Sequence, residues 1–157
     1  MTKNPFNSIF ENSLRLLILL DIYDMPQTVD MLYAIDFMTV YGKSFGITET
    51  NLNGDNEYRF SEFASRREPV RAALKEMVLN GTAQAVSYKK GLAYIITPEG
   101  EDYCESLESD YAKEYRHNAE KVISKMAGKT ERAIISDINK KSAEALRKGV
   151  TGWVDFI

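Results

Sequence analysis

The residues with the most reactive side chains are few in this chain of 157 residues, which has one cysteine, Cys104, and one histidine, His117. One of each excludes a zinc site made of His and Cys within a single chain, and one cysteine excludes an intrachain disulfide. Cys104 follows Tyr103 in an apolar setting, which is typical of a small buried residue. His117 lies among charged residues, which favours a place on the surface. Neither residue belongs to a nucleophile–base arrangement, so the sequence predicts a protein that is not an enzyme.

Four aspartates lie close together in the first part of the chain: Asp21, Asp24, Asp30 and Asp36. Paired carboxylates can serve acid–base chemistry or bind a metal ion. Aspartate is also common at helix ends and in first turns, where it interacts favourably with the helix dipole. Capping is the simpler interpretation here, so we predict neither a metal site nor a cofactor.

Basic side chains suggest a binding surface on the third predicted helix. Arg67, Arg71 and Lys75 are spaced i, i+4, i+8 and therefore share one face. With neighbouring residues they form a candidate surface for a partner or for DNA phosphates; its members are Arg66, Arg67, Arg71, Lys75, Lys89 and Lys90. A solvated helix face is the alternative interpretation.

The net charge of −3 hides an uneven distribution along the chain. Residues 1–109 carry 10 basic and 16 acidic side chains, whereas residues 110–148 carry 10 basic and 6 acidic side chains. Any binding of DNA would therefore be local and sensitive to salt.

Helical periodicity and capping residues predict the first half of the fold. A buried helix spans Ser8 to Tyr23, and a second helix starts after the N-cap Thr28 and ends at Gly42. Turn residues dominate 43–63, which predicts a long inserted loop. Ser65 and Glu68 form a capping box that predicts the start of the third helix.

Two short apolar runs after the third helix, Ala83 to Tyr88 and Leu92 to Thr97, predict a β-hairpin whose turn is Lys89-Lys90-Gly91. Three further helices are predicted: from the N-cap Thr97 to about Leu107, from Ser109 or Asp110 to Ala127, and from Glu131 to Lys148, where Gly149 ends the helix. Three helices followed by a hairpin is the order of a winged helix-turn-helix. We therefore predict a mainly α (α+β) fold with a winged-helix core over 1–107 and C-terminal helices over 108–157. A plain α+β bundle with an incidental hairpin is the alternative.

Two observations bear on location and on partners. The longest uninterrupted apolar run near the N-terminus covers only Leu16 to Leu20, whereas a spanning helix needs about 20 residues. We therefore expect a soluble cytoplasmic protein with no membrane contact. Trp153 and Phe156 are large apolar residues in the C-terminal tail, and they either fold back on the core or dock on a partner.

Five segments together give the chain a family resemblance that extends from about Pro5 to Phe156. They are Pro5-Phe6-Asn7-Ser8 followed by Leu14–Leu20, Asp36-Phe37 with Val40-Tyr41-Gly42, Arg66-Arg67-Glu68 leading to Leu74 and Gly81, Thr97-Pro98-Glu99-Gly100 followed by Leu107–Ala112, and Trp153-Val154-Asp155-Phe156. In their order and spacing they resemble the middle component of three-component ABC-ATPase conflict systems, the small subunit of Lamassu-type antiviral complexes.

The resemblance implies a non-enzymatic adaptor. Such a subunit binds an SMC-like ABC ATPase and a separate effector, often a nuclease, and couples the sensing of foreign DNA to release of the effector. It also implies a second role for Arg66-Arg67-Glu68, as a salt-bridge site that faces a protein partner and not DNA. A winged-helix transcriptional regulator, dimerised through its C-terminal helices, is the alternative function.

Overall fold

The computed structural model describes residues 8–52, 60, 63, 65–89 and 91–154, and it describes the backbone only for 146 and 148–154. This part of the chain forms six α-helices, a short 3-10 helix (Gly42–Phe45) and a two-stranded hairpin. In chain order the elements are α1 (Ile9–Ile22), α2 (Val29–Val40), α3 (Arg67–Leu79), β1 (Ala83–Tyr88), β2 (Gly91–Ile96), α4 (Pro98–Glu105), α5 (Asp110–Met126) and α6 (Glu131–Val154). The predicted mainly α fold is confirmed, and the layout is consistent with a winged helix.

Side-chain caps start most of the helices, as the sequence predicts. The hydroxyls of Thr28, Thr97, Ser109 and Thr130 each accept a hydrogen bond from the backbone amide three residues further on. Each bond satisfies one of the amides that a helix leaves without an internal partner at its N-terminus.

Two predicted helix ends are wrong. The third helix does not begin with a Ser65 capping box, because its N-cap position is Arg66, whose side chain makes no capping bond and turns to the core. The last helix does not end at Gly149 but continues to Val154. A single glycine inside a helix costs only about 1 kcal/mol relative to alanine, so it does not by itself end the helix.

The hairpin pairs β1 with β2 in antiparallel register, from Ala83 opposite Ile96 to Tyr88 opposite Gly91. Lys89, in the connection, has a φ of 52°, as the favoured two-residue hairpin turns require. Gln27, between α1 and α2, adds a bridge to β2. Its backbone N–H donates to the Tyr94 backbone carbonyl at 3.0 Å, and its backbone carbonyl accepts from the Tyr94 backbone N–H at 2.8 Å. The hairpin is thereby held against the first two helices.

The core is built around α1, which packs against α2, α3, α4, α5 and β2. Residues Leu16–Leu20 are all buried, so this helix has apolar neighbours on more than one side, as its wide apolar band predicts. None of the described helices has both the length and the hydropathy needed to cross a bilayer.

The last helix is attached differently from the others. In α6, Ile134 and Ile138 are buried against the core, and of the elements described here α2 is its main neighbour. From 139 onward every side chain that the structure describes is exposed except the half-buried Ser142. The described side chains of α6 beyond Ile138 therefore contribute little to the core.

Candidate functional site

A cluster of charged side chains lies inside the core, centred on Asp36 of α2. Its carboxylate accepts from Arg15 Nε at 2.9 Å, from Arg66 Nη2 at 2.5 Å and from the Tyr115 hydroxyl at 2.7 Å. Arg15 also donates to the Asn12 side chain. We call these five residues the charge cluster; they join α1, α2, the start of α3 and α5.

Burial makes the charge cluster unusual, because Arg15 and Asp36 are each only 1% exposed and Tyr115 is 0% exposed. Arginine and aspartate are almost never fully buried unless they are paired. Here two guanidinium groups face one carboxylate, so each acceptor oxygen of Asp36 is engaged by at least one donor. The geometry supplies the good hydrogen bonding that a buried ion pair needs to offset its desolvation.

The electrostatics of the charge cluster fix its protonation states. Burial by itself would raise the pKa of Asp36, but the charges of Arg15 and Arg66 outweigh burial and hold that pKa below its usual value. Burial and the neighbouring Asp36 raise the pKa of the Tyr115 hydroxyl well above its usual value. At neutral pH the aspartate is therefore ionised and the tyrosine is neutral, an arrangement suited to holding helices together.

The sequence contains a signal for the charge cluster, but the prediction that Asp36 has a capping role is wrong. Capping does not explain Asp36, which lies in the middle of α2 and not at a helix end. Arg15 and Asp36 are single charges of opposite sign inside two apolar helical runs. A charge at such a core position needs a buried partner, because an unpaired buried charge is very costly.

The residues of the predicted basic surface do not all lie on the surface of the protein. Arg66, a candidate for partner or DNA binding, is 5% exposed and belongs to the charge cluster, which corrects its predicted place on the surface. Arg67 Nε lies 2.7 Å from Asp30 Oδ1 of α2, and this pair is partly exposed. Arg71 Nη1 lies 3.9 Å from Glu68 Oε1, one turn away on the same helix.

Arg71, Lys75 and Lys89 are exposed, so they stay candidates for contact with a partner or with DNA. Lys89 lies with its ammonium 5.3 Å from the centre of the Tyr88 ring. Three other candidates fall outside what the structure describes: Lys90 and Phe156 entirely, and Trp153 beyond its backbone in the last turn of α6.

Cys104 and His117 lie where the sequence predicts them. Cys104 is 4% exposed, and its sulfur accepts from Arg116 Nη2, which also donates to Asp21 at 2.7 Å. Burial, assisted by the nearby Asp21, raises the pKa of the Cys104 thiol to about 11. His117 is exposed on α5. Among the described residues no three His, Cys, Asp or Glu side chains are grouped so that they could hold a metal ion.

The fold and the charge cluster define a small, mainly helical protein with a winged-helix-like hairpin and an extended C-terminal helix. Comparison with protein families then gives a match over residues 5–148 to the family described as ABC-three component (ABC-3C) system Middle Component 2. The match covers most of the chain, so the chain belongs to this family. Neither the search of curated proteins nor the search of solved structures found a matching protein.

Proposed function

We propose that this chain is the non-catalytic adaptor of a cytoplasmic, Lamassu-type antiviral complex. It binds an SMC-like ABC ATPase and a separate effector, a nuclease, and it couples DNA sensing by the ATPase to release of the effector. The observation that carries the proposal is the match of residues 5–148 to a middle component of an ABC three-component system. The resemblance of the five sequence segments adds the expectation of the particular partners.

The places of the reactive side chains support an adaptor and not an enzyme. Asp36 is ionised and fully engaged by the other members of the charge cluster, so it has no free lone pair facing solvent. The Cys104 thiol, with a pKa raised to about 11, is protonated at neutral pH and is a poor nucleophile. The groups that could do chemistry therefore hold helices together.

The surface also supports an adaptor. The described part of α6 after Ile138 and the solvent-facing side of α3 both carry exposed cations. Arg71 and Lys75 lie on α3, and Lys140 and Lys141 lie on α6. A subunit between two partners needs two such surfaces.

Co-expression tests the proposal. We expect a tagged copy of this chain to co-purify with the ATPase and the third protein encoded beside it, as one peak in size-exclusion chromatography with light scattering. A Cys104→Ser, His117→Ala double variant is expected to assemble the same complex and to give the same protection against phage. A chain that binds neither neighbouring protein would contradict the adaptor role, and lost protection by an assembled double variant would contradict the non-catalytic role.

The second candidate function, a DNA-binding regulator, is favoured by the exposed Arg71 and Lys75 on the helix that precedes the hairpin. It requires tight, sequence-specific binding of a DNA duplex by this chain alone. It also requires a slope of about −4 to −6 for log K against log salt, if four to six cations contact phosphate. We expect the adaptor instead to bind DNA weakly and without sequence preference in a fluorescence anisotropy titration.

A further inference from the structure

A groove of about 500 Å³ lies between the start of α1, the end of α3 and α4. Ile9, Phe10, Ser13 and Leu14 of α1, Met77 of α3 and Tyr103 of α4 are among the residues that line it. We call it the apolar groove. It is separate from the charge cluster and from the exposed cations of α3.

The apolar groove collects hydrophobic side chains that the fold leaves exposed. Phe10 is 62% exposed, Ile9 50% and Tyr103 43%, and these are three of the six large hydrophobic residues that the described part of the chain exposes. Grouped exposure of this kind marks an interaction surface, whereas exposed apolar residues scattered singly are ordinary.

Carboxylates border the apolar groove on α3 and α4. Glu76 lines it, and Glu99 lies one helical turn before Tyr103 on α4. Residues 91–112 contain no lysine or arginine, and the carboxylates of α4 are exposed. No ion pair joins Glu76 or any α4 carboxylate to another described residue. These charges are therefore available to a cationic partner.

A polar atom in the groove lining also has no partner. The Ser13 hydroxyl, on α1, is buried and forms no hydrogen bond in the described structure. Buried polar atoms are hydrogen-bonded in the large majority of cases, so an exception needs an explanation. A ligand in the groove that supplies a donor or an acceptor would provide it.

We propose that the apolar groove binds an amphipathic helix of another subunit of the complex. The helix has apolar residues at i, i+3 or i+4, and i+7 spacing, with Lys or Arg on its flanks. The inference rests on the proposed adaptor function and names the surface that carries one of its contacts. The groove is walled mainly by helices, and none of the described residues that line it belongs to β1 or β2, so helix-in-groove binding fits better than addition of a strand.

Charge also argues against a second copy of this chain as the occupant. A symmetric dimer would place the same acidic surface on both sides of its interface, because both copies contribute the same patch. Like charges brought together in this way oppose association. A basic helix has the complementary charge.

Photo-crosslinking in the assembled complex tests the occupant. A benzophenone amino acid replaces Phe10 in the full chain, and a control chain carries it at Met25, which is 59% exposed and does not line the groove. We expect position 10 to crosslink to a segment of the ATPase or the third protein that has the stated apolar spacing and basic flanks. Crosslinks from position 10 to a second copy, or to no partner subunit, would overturn the proposal.

Matched substitutions test the energetics. We expect Phe10→Asp to weaken the affinity for that partner by roughly tenfold or more, as loss of a central aromatic anchor does, and Met25→Asp to leave the affinity within about twofold. The Glu99→Lys variant is expected to weaken binding and to flatten its salt dependence, whereas Glu114→Lys on α5 is the charge-matched control.

Each outcome separates the two proposals. If the wild-type chain assembles with no neighbouring protein, the adaptor function fails. If it assembles and Phe10→Asp binds as tightly as Met25→Asp, with thermal unfolding of both unchanged, the adaptor function stands and the apolar groove is not its docking surface.

Discussion

Replacing Asp36 by asparagine tests the charge cluster most directly, because the substitution keeps the shape of the side chain and removes its charge. Arg15 and Arg66 then lose the carboxylate that faces both of them, and both side chains are buried. Removing one partner of a buried ion pair leaves an uncompensated charge, which costs about 3–5 kcal/mol. A domain is stable by only about 5–15 kcal/mol, so the loss is a large fraction of the total.

Urea unfolding, followed by far-ultraviolet circular dichroism, measures the effect. With a slope of about 1–3 kcal/mol per molar urea, a loss of 3–5 kcal/mol lowers the midpoint by about 1 M or more. Asp24→Asn is the matched control, because Asp24 is exposed and outside the charge cluster. Its free energy of unfolding is expected to change by less than about 0.5 kcal/mol.

A double-mutant cycle with Tyr115→Phe shows whether the cluster acts as a unit. The Tyr115 hydroxyl donates to Asp36 Oδ1 at 2.7 Å, and a hydrogen bond to a charged group contributes about 1.5–3 kcal/mol. We expect Tyr115→Phe to cost that amount in the wild-type chain and much less in the Asp36→Asn chain. Equal costs in the two backgrounds, or an Asp36→Asn variant as stable as the control, would refute the reasoning.

Three further predictions follow from local geometry and from the shifted pKa values. Gly100→Ala is expected to destabilise the fold by about 1–3 kcal/mol in thermal or urea unfolding, because the added Cβ would overlap the Thr82 carbonyl oxygen. Gly91→Ala is the control, since a Cβ at position 91 would meet no atom within 4 Å. Alkylation of Cys104 by iodoacetamide at pH 8 is expected to be roughly a hundredfold slower in the folded chain than in urea, since its pKa is raised to about 11; equal rates would contradict this. The pKa of Asp36 is lowered in the folded state, so its contribution to stability is present above about pH 4 and is lost as the pH falls below that value. The free energy of unfolding should therefore fall less steeply with decreasing pH in Asp36→Asn than in Asp24→Asn.

The sequence predicts the parts of this fold that depend on near neighbours. Helix starts at Thr28, Thr97 and Ser109 are confirmed because each cap bond spans three residues and can be seen in the local sequence. The hairpin is confirmed for the same reason, since its strands are joined by a short turn. The signals and the structure they specify lie within a few residues of each other.

The charge cluster could not be predicted in the same way, because its contacts join residues far apart in the chain. Asp36 is 21 residues from Arg15, 30 from Arg66 and 79 from Tyr115. The burial of Arg15 and Asp36 has a sequence signal, but nothing local indicates which partners meet. Pairing over such separations is decided by how α1, α2 and α5 pack together.

Arg66 shows that the position of a residue around the helix axis, and not its place in a run of basic residues, decides where its side chain lies. By sequence order alone, Arg66 appears beside Arg67 as part of an exposed basic surface. Its backbone is helical, with φ −85° and ψ −16°, and it lies four residues before the buried Val70, so its side chain continues the buried face of α3 and reaches Asp36. Successive helical residues are about 100° apart around the axis, so Arg67 points away from that face and is exposed.

The distribution of the remaining charges bears on how an adaptor keeps its partners apart. The charge cluster takes two arginines into the core, where their charges cannot attract a partner. The carboxylates of α4 are exposed and form no ion pair with another described residue. On α6, by contrast, Lys140 and Lys141 are exposed. A basic helix of the kind proposed for the apolar groove has the same sign of charge as Lys140 and Lys141, and an acidic segment or DNA phosphate has the same sign as the carboxylates of α4. The two surfaces therefore favour ligands of opposite charge, which separates the classes of partner that the proposed adaptor would bind at each of them.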